Sequence, residues 1–181
     1  MDSAITDKYP RVHQLEDGAK VTWSLMTSDD LSNLSKFLNR LPAKDLAYLQ
    51  VDITDAVVQQ MWLQSIAEGK SICLCAYDPA SLVGYASVQV SGDQEQRKGE
   101  IRVNISQGYR SRGLGRILIG EILDISKMLH LSLLTARMLS DQHGARAAFG
   151  RLGFSRQALL EGYVDDPSLD CRDLLVMSSN L

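Results

Sequence analysis

One stretch of the sequence decides the fold: Asn104-Ile-Ser-Gln-Gly-Tyr-Arg-Ser-Arg-Gly-Leu-Gly-Arg-Ile-Leu-Ile-Gly-Glu-Ile-Leu123. It predicts an apolar strand, a glycine-rich turn and then an amphipathic helix. Glycines let the backbone turn tightly and come close to a ligand. Free N–H groups at the positive end of the helix dipole then point toward one spot, which is the geometry that binds a phosphate or pyrophosphate. The chain is therefore predicted to hold a phosphorylated cofactor.

The loop differs from two other phosphate-binding motifs. A nucleotide-hydrolase loop ends in Gly-Lys-Ser/Thr, whereas Gly115 is followed here by Arg116 and Ile117. A dinucleotide-binding fingerprint needs a third glycine, and Leu118 stands at that position. A glycine-rich turn that binds no ligand is the structural alternative.

Two motifs resemble those of a known family. Arg110-Ser-Arg-Gly-Leu-Gly115 resembles the acetyl-CoA-binding motif Gln/Arg-x-x-Gly-x-Gly/Ala of the GNAT acyltransferase superfamily. Gln142-His-Gly-Ala-Arg-Ala-Ala-Phe-Gly-Arg-Leu-Gly-Phe154 resembles its second motif, Asn-x-x-Ala-x-x-x-Tyr-x-x-x-Gly-Phe. The likeness runs from about Val21 to the C-terminus. It is greatest to stand-alone bacterial domains and to those attached to protein-lysine acetyltransferases, which carry segments similar to Asp17-Gly18 and Ile53-Thr-Asp55.

The resemblance implies that acetyl-CoA, or coenzyme A, binds as cosubstrate. Its pyrophosphate would lie on the loop, and its pantetheine arm would pair with the open edge of the preceding strand. Gln142, in place of the usual asparagine, would offer an amide to the arm, and Phe149 would pack beside the cofactor. The full predicted set is Val103, Asn104, Ile105, Arg110, Ser111, Arg112, Gly113, Leu114, Gly115, Arg116, Gln142 and Phe149.

Glu100 is the candidate catalytic residue. Transfer of an acyl group from a thioester to an amine needs a neutral amine, and a general base provides it. By strand alternation Glu100 shares one face with Arg102 and Asn104, and the resemblance implies a glutamate base at this place, often acting through a water. A Glu–Arg pair on a solvated face is the structural alternative, and the sequence leaves both open.

Position 149 departs from the family pattern. Many GNAT enzymes carry a tyrosine there, which protonates the coenzyme A thiolate, whereas Phe149 has no proton to give. A thiol pKa near ~8.5 makes the thiolate a tolerable leaving group without an acid. Ser140, His143 and Tyr109 are alternative donors, although Ser140 also suits a helix cap and His143 a surface position.

The same resemblance implies that the last two strands form one wall of the site that binds the acceptor amine. Tyr163 would lie on its wall, and Asp165-Asp166 would suit a cationic amine or simply form a solvated turn. The acceptor is expected to be a small-molecule amine or a protein lysine, and fold alone does not decide between them.

Bulk properties exclude several classes of protein. The 181 residues, 45% of them hydrophobic, suffice for one core. A net charge of −3 argues against nucleic-acid binding. The N-terminal residues lack the layout of a signal peptide, and no apolar run approaches the ~20 residues of a membrane helix, so a cytoplasmic protein without membrane contact is expected. Cys73 and Cys75 are predicted to pack in a sheet, and with Cys171 they complete no set of metal ligands.

The hydrophobic pattern predicts the order β-α-α-β-β-β-α-β-α-β-β after an N-terminal arm or hairpin. Helices are predicted at 31–41, 54–68, 114–129 and from 141 to 152, and strands at 21–26, 72–77, 82–90, 99–106, 133–138, 155–164 and 172–177. This order indicates an α/β (or α+β) fold and is also the GNAT order, which implies a mixed, largely antiparallel sheet with a central splay, flanked by helices. The arm would span residues 1–20 and the acyltransferase domain residues 21–181.

The leading hypothesis is an acetyl-CoA-dependent N-acyltransferase that works by direct transfer, as a monomer or homodimer. No covalent nucleophile is indicated, because all three cysteines lie in or beside strand-like segments. A non-catalytic acyl-CoA-binding regulatory module is the alternative, favoured by Phe149 and opposed by Glu100. A dinucleotide-dependent oxidoreductase ranks third because the fingerprint is incomplete.

Overall fold

The computed structural model describes residues 3–92, 96–164 and 172–181. Its strands are β1 (Arg11–Gln14), β2 (Lys20–Leu25), β3 (Ser71–Tyr77), β4 (Leu82–Ser91), β5 (Lys98–Ile105), β6 (Leu133–Leu139), β7 (Ser155–Val164) and β8 (Arg172–Asn180). Its helices are α1 (Ser3–Thr6), α2 (Leu31–Leu38), α3 (Ala56–Ala67), α4 (Leu114–Met128) and α5 (His143–Arg151). None of the described helices has the length and apolar content needed to cross a lipid bilayer.

The strands form one sheet in the order β1-β2-β3-β4-β5-β6-β8-β7. Neighbours pair antiparallel except β5 and β6, which run parallel from Lys98↔Leu133 to Ile101↔Ala136. Beyond that point β5 continues beside β4 and β6 continues beside β8, so the two strands part at the centre of the sheet. The predicted mixed, largely antiparallel sheet with a central splay is confirmed.

One face of the sheet is covered by α4 and α5. Leu114, Leu118 and Ile122 of α4 are fully buried and belong to one core cluster with Ile101 of β5. Their spacing of four residues keeps them on the same side of the helix, as the sequence pattern predicted. Phe149 of α5 is buried in the same cluster. The glycine-rich loop therefore lies on this face, directly ahead of α4.

The opposite face is covered by α2 and α3. Leu34 and Ile66 of these helices pack in a second cluster with Cys73 and Cys75 of β3. The interpretation of these two cysteines as packing residues is confirmed, and Cys171 lies outside the described residues. In the described part of the chain, no three histidine, cysteine, aspartate or glutamate side chains gather as metal ligands would.

The N-terminal segment is part of the sheet. β1 and β2 form an antiparallel hairpin with the pair Arg11↔Trp23, and Ile5 of α1 is fully buried in the core beside the sheet. The turn of this hairpin carries Glu16 and Asp17. The division of the chain into an arm at residues 1–20 and an acyltransferase domain at residues 21–181 stays a prediction.

Two details of the helices differ from the prediction. The first predicted helix ends at Leu38 rather than Leu41, because Arg40 and Leu41 form i→i−3 hydrogen bonds to Phe37 and Leu38 in place of the helical ladder. Pro42 further disfavours helical geometry at Leu41. A short 3₁₀ turn, Ala43–Asp45, follows, and Asp45 at its end pairs with Arg110. The second predicted helix, at 54–68, is shorter as well: α3 runs from Ala56 to Ala67, with Asp55 as the N-cap residue whose side chain accepts from the N–H groups of Val57 and Val58.

Candidate active site

The glycine-rich loop ends in a helix N-terminus that no side chain caps. Gly113 is the N-cap residue with φ of +84°, a left-handed conformation that glycine adopts without strain. The first hydrogen bond of α4 runs from the Ile117 N–H to the Gly113 oxygen at 3.1 Å. The N–H groups of Leu114 and Gly115 thus precede the helical ladder, and their position at the positive end of the dipole suits an anion.

Each arginine of the loop faces a carboxylate from a distant part of the chain. Arg110 donates to Asp45 at 2.5 Å, and its Nε also donates to the backbone oxygen of Ile105 at 3.0 Å. The other two arginines bind the turn of the β1–β2 hairpin: Arg112 donates to Asp17, and Arg116 to Glu16 at 3.1 Å. The positive charge of the three arginines is therefore already balanced by carboxylates.

The hairpin turn lies over the loop itself. Glu16 Oε1 is only 3.5 Å from the position that a β-carbon on Gly113 would occupy. The hydrogen bond from Arg112 holds the pKa of Asp17 below its usual value, so this carboxylate is charged at neutral pH. The guanidinium of Arg112 also stacks on the ring of Tyr109, 4.4 Å from its centroid. An anion bound at the loop would therefore meet two carboxylates.

The splay leaves one edge of β5 open. Past Ile101, residues 102–105 pair with β4 only, so the backbone edge that faces β6 has no strand partner. The side chain of Asn104 is buried and donates to the Tyr85 hydroxyl at 2.8 Å. Its amide is thus occupied. The predicted pairing with a pantetheine arm concerns only the backbone of Val103, Asn104 and Ile105.

Glu100 lies between two arginines on the face opposite α4. Arg137 Nε of β6 is 3.4 Å from Glu100 Oε2, and Arg102 Nη2 is 4.0 Å from Glu100 Oε1. The Glu–Arg pair, one of the two predicted roles, is therefore present. The Glu100 side chain keeps about a third of its surface exposed. The pairing therefore leaves it accessible, and its role as a base stays a prediction.

Tyr48 is a site residue that the sequence did not indicate. Burial raises its pKa to about 12, and the charges of Arg102, Asp45 and Glu100 act on its hydroxyl. It packs with Leu139 and other apolar residues at the ends of β6, β7 and β8. The segment around Tyr48 shows no periodicity that predicts an element, so only the folded chain reveals that the charges of Arg102 and Glu100 act on it.

The residues considered as proton donors lie in different surroundings. Phe149 is buried against Phe154, with ring centroids 4.9 Å apart. The Tyr109 hydroxyl donates to Asp78 at 2.9 Å. His143 is exposed at the first turn of α5. The Tyr109 hydroxyl is thus engaged with Asp78, and a role of Ser140, His143 or Tyr109 as the proton donor stays a prediction.

The N-terminus of α5 differs from the prediction. The helix was predicted from residue 141, with Ser140 as a candidate cap, but Gln142 is the N-cap residue and its side chain does not cap the helix. Its side-chain oxygen instead accepts a hydrogen bond from the Leu139 N–H at 3.2 Å. Asp141 binds Arg172 of β8. A contact between the Gln142 amide and a cofactor stays a prediction.

Of the residues expected at the wall of the acceptor site, Tyr163 is among those that the structure describes. Tyr163 of β7 is partly exposed, and its hydroxyl accepts a hydrogen bond from the side chain of Gln50 at 3.3 Å. This contact joins the segment between α2 and α3 to the end of the sheet. The Asp165-Asp166 pair lies outside the described residues.

Comparison with known proteins gives one family and many similar folds. The sequence model of the Acetyltransferase (GNAT) family matches residues 38–154, more than half of the chain. No curated protein matches the chain. Solved structures similar to this one include ribosomal-protein-alanine N-acetyltransferase from Brucella melitensis, with a TM-score of 0.72 and 22% identity over 88% of this chain and 99% of that one.

Two further structures have the same fold. The protein yncA from Salmonella typhimurium, provisionally assigned as an acetyltransferase and solved with its cofactor acetyl-CoA, has a TM-score of 0.75 and 19% identity over 89% of this chain and 94% of that one. A chimera of spermidine N-acetyltransferase SpeG from Vibrio cholerae has a TM-score of 0.71 and 16% identity over 88% and 95% of the two chains. At these identities the likeness concerns the fold alone.

Proposed function

This chain belongs to the GNAT acetyltransferase family, which uses acetyl-CoA, and we propose that it is an N-acyltransferase that moves an acetyl or longer acyl group directly onto an amine. One observation carries the proposal. An uncapped helix N-terminus on one face of the sheet and an accessible carboxylate on the other are joined by a splay between β5 and β6. A thioester reaching through this opening would meet an amine held at Glu100.

The loop is the proposed site for the pyrophosphate of acetyl-CoA. The residues fit an anion, because the N–H groups of residues 112–116 precede or open the helical ladder of α4 and Gly113 has no side chain to obstruct approach. The pantetheine arm would pair with the open edge of β5 at Val103, Asn104 and Ile105, as a peptide pairs with a sheet edge. Bound acetyl-CoA would supply the activated acyl group.

Glu100 is proposed as the general base. It would take the proton from the amine, directly or through a water, as the new carbon–nitrogen bond forms and the carbon–sulfur bond breaks. Coenzyme A leaves as the thiolate, which gains a proton from solvent, since Phe149 cannot supply one. No residue of the protein needs to form a covalent bond with the acyl group in this scheme.

The acceptor is proposed to be a small-molecule amine or a protein lysine. A non-catalytic protein that only binds acyl-CoA would keep the loop and the splay but would not release coenzyme A when an amine is added. The experiment is therefore a coenzyme A release assay with acetyl-CoA and a panel of amines. Release above the no-amine blank supports an enzyme, whereas binding without release for every amine supports the regulatory module.

The identity of the cofactor is tested separately by thermal stabilisation. The loop lacks both the third glycine of a dinucleotide fingerprint and the Gly-Lys-Ser/Thr ending of a nucleotide-hydrolase loop. Coenzyme A should raise the Tm far more than NADH or ATP at equal concentration, because stabilisation follows the ligand concentration relative to Kd. A larger shift with NADH would contradict the assignment.

A further inference from the structure

The side chains around Glu100 carry more positive than negative charge. Arg102 and Arg137 both contact the single carboxylate of Glu100, at 4.0 and 3.4 Å. Among the described residues, no other acidic side chain lies within ion-pair distance of either arginine. The nearby carboxylate of Asp45 is bound to Arg110. Because arginine stays protonated in proteins, one positive charge is left over at this place.

These arginines stand at the opening of the splay. Ile101 and Ala136 are the last residues that pair β5 with β6, and Arg102 and Arg137 follow them directly on the two strands. Their contacts with Glu100 place both guanidinium groups on the same face as that carboxylate. The side chains of Arg102, Glu100 and Arg137 are 28%, 34% and 35% exposed, so an incoming molecule can reach all three.

The excess charge restricts the molecules that would bind here. A polyamine or a lysine side chain brings a positive charge without an anion close to the reacting amine, and the two guanidinium groups would repel it. A planar guanidinium matches a carboxylate with two parallel hydrogen bonds, which makes arginine suitable for anions of this shape. Nearby positive charge also favours the neutral form of an amine, which is the form that attacks a thioester.

The short distances limit the spacing between the two groups of the acceptor. Since the guanidinium of Arg137 is only 3.4 Å from the Glu100 carboxylate, a ligand that contacts both must carry its amine and its anionic group close together. We infer, on the basis of the proposed function, that the acceptor is an amino acid whose α-carboxylate binds Arg102 and Arg137 while its amine lies at Glu100. The two arginines are then specificity-determining residues.

The experiment compares free L-amino acids with the matched L-amino acid amides, which have the same side chain and no negative charge. Spermidine and a peptide with an internal lysine complete the panel, and kcat/KM is measured by coenzyme A release. The free acids should be better acceptors than their amides by about 10- to 100-fold, the effect expected for losing a charge-assisted hydrogen bond. Most of the difference should appear in KM.

Three variants identify the residues responsible. Arg137→Gln and Arg102→Gln should each remove most of the preference for the free acid by raising its KM, with little change for the amide. Arg137→Lys should restore part of the preference, because it returns the charge without the planar fork. Arg156→Gln, an exposed arginine on β7, is the matched control and should leave the preference unchanged. Coenzyme A affinity should stay constant in all of them.

The outcomes separate this inference from the proposed function. If spermidine or the lysine peptide is acylated and the amino acids are not, the protein is an N-acyltransferase and the inference is wrong. If free acids and amides react equally, or both glutamine variants keep the preference, the inference is also wrong. If no amine in the panel releases coenzyme A, the proposed function and the inference fail together.

Discussion

At the glycine-rich loop each of three arginines faces a carboxylate of its own, whereas at the splay two arginines share one carboxylate. The difference bears on how each region receives an anion. At the loop an incoming phosphate competes with Glu16 and Asp17, so backbone N–H groups must provide much of the attraction. At the splay an anion meets two arginines that, among the described residues, have only the Glu100 carboxylate between them.

The largest expected effect concerns the shared carboxylate at the splay. Glu100→Gln keeps the shape of the side chain but removes the base, and loss of a general base costs about 10² to 10⁴ in rate. Turnover should fall by that factor at neutral pH, with coenzyme A affinity nearly unchanged. Glu68→Gln, at the end of α3, is the control and should leave turnover unaltered.

A pH–rate profile of both proteins distinguishes a base from an ion-pair residue. If Glu100 takes the proton, the acidic limb of the wild-type profile should be lost or displaced in the variant. Near-equal turnover with an unmoved acidic limb would show that Glu100 only pairs with Arg102 and Arg137.

The second effect tests whether backbone groups hold the anion at the loop. Gly113→Asp and Gly113→Asn place side chains of the same shape at a residue with φ of +84°, so the two variants share the same backbone strain. Only the aspartate puts a negative charge beside the N–H groups. By calorimetry its coenzyme A affinity should fall below that of the asparagine variant by about 10²-fold, from repulsion and lost charge-assisted bonds.

Gly115→Ala is a further control at the loop. The family motif accepts alanine at this position, and a β-carbon there would meet only Ile105, at an ordinary 3.7 Å. Its affinity for coenzyme A should match the wild type. Equal affinities for the aspartate and asparagine variants would contradict the placement of the pyrophosphate on the loop.

A smaller effect, of opposite sign, is expected from the hairpin turn. The double variant Glu16→Gln, Asp17→Asn removes the carboxylates that compete with a phosphate, while asparagine can still accept the turn hydrogen bond from the Ala19 N–H. Exposed ion pairs are individually weak, so coenzyme A should bind only about two- to tenfold tighter. The gain should shrink as salt is added, because these charges are screened.

A matched double variant tests whether this gain is local. Asp52→Asn with Glu68→Gln makes the same change in net charge at exposed residues whose hydrogen bonds and ion pairs lie away from the loop, with Thr54 and Lys70. It should not tighten binding. An equal gain in both double variants would mean that net charge, rather than the hairpin turn, sets the affinity.

The smallest effect is expected at Phe149 of α5, where many members of the family carry a tyrosine. Phe149→Tyr adds a hydroxyl to a buried ring that packs on Phe154. Activity should stay the same or rise modestly if protonation of the thiolate limits the rate. The Tm should fall slightly unless the hydroxyl finds a partner, because an unpaired buried hydroxyl costs about 1–3 kcal/mol. A large loss of activity at unchanged Tm would show that the site needs an apolar side chain there.

The parts of the site that the sequence predicted are those set by local geometry. The turn at Gly113 depends on backbone freedom over a few residues, and the stripe of Leu114, Leu118 and Ile122 depends on the 3.6-residue period. The shared face of Glu100 and Arg102 follows from strand alternation. Each of these patterns is complete within one helix, strand or turn, so it can be predicted from the sequence without the tertiary structure.

The charge partners were not predictable, because the chain brings them together from far apart. Asp45 is 65 residues from Arg110, Asp17 is 95 from Arg112, and Glu16 is 100 from Arg116. Arg137 reaches Glu100 only through the parallel register of β5 and β6. No period within an element encodes such pairs, since ion pairs between distant segments depend on sheet order and helix placement.

The amino-acid sequence by itself determined the glycine turn, the order of helices and strands, and the candidate base, because each rests on neighbouring residues. Tertiary structure alone decided how the charges are distributed. It set the hairpin turn over the loop and two arginines beside one glutamate, and it buried Tyr48 where the charges of Arg102 and Glu100 act on its hydroxyl. The physical reason is that electrostatic interactions depend on distance in space, whereas a sequence records only distance along the chain.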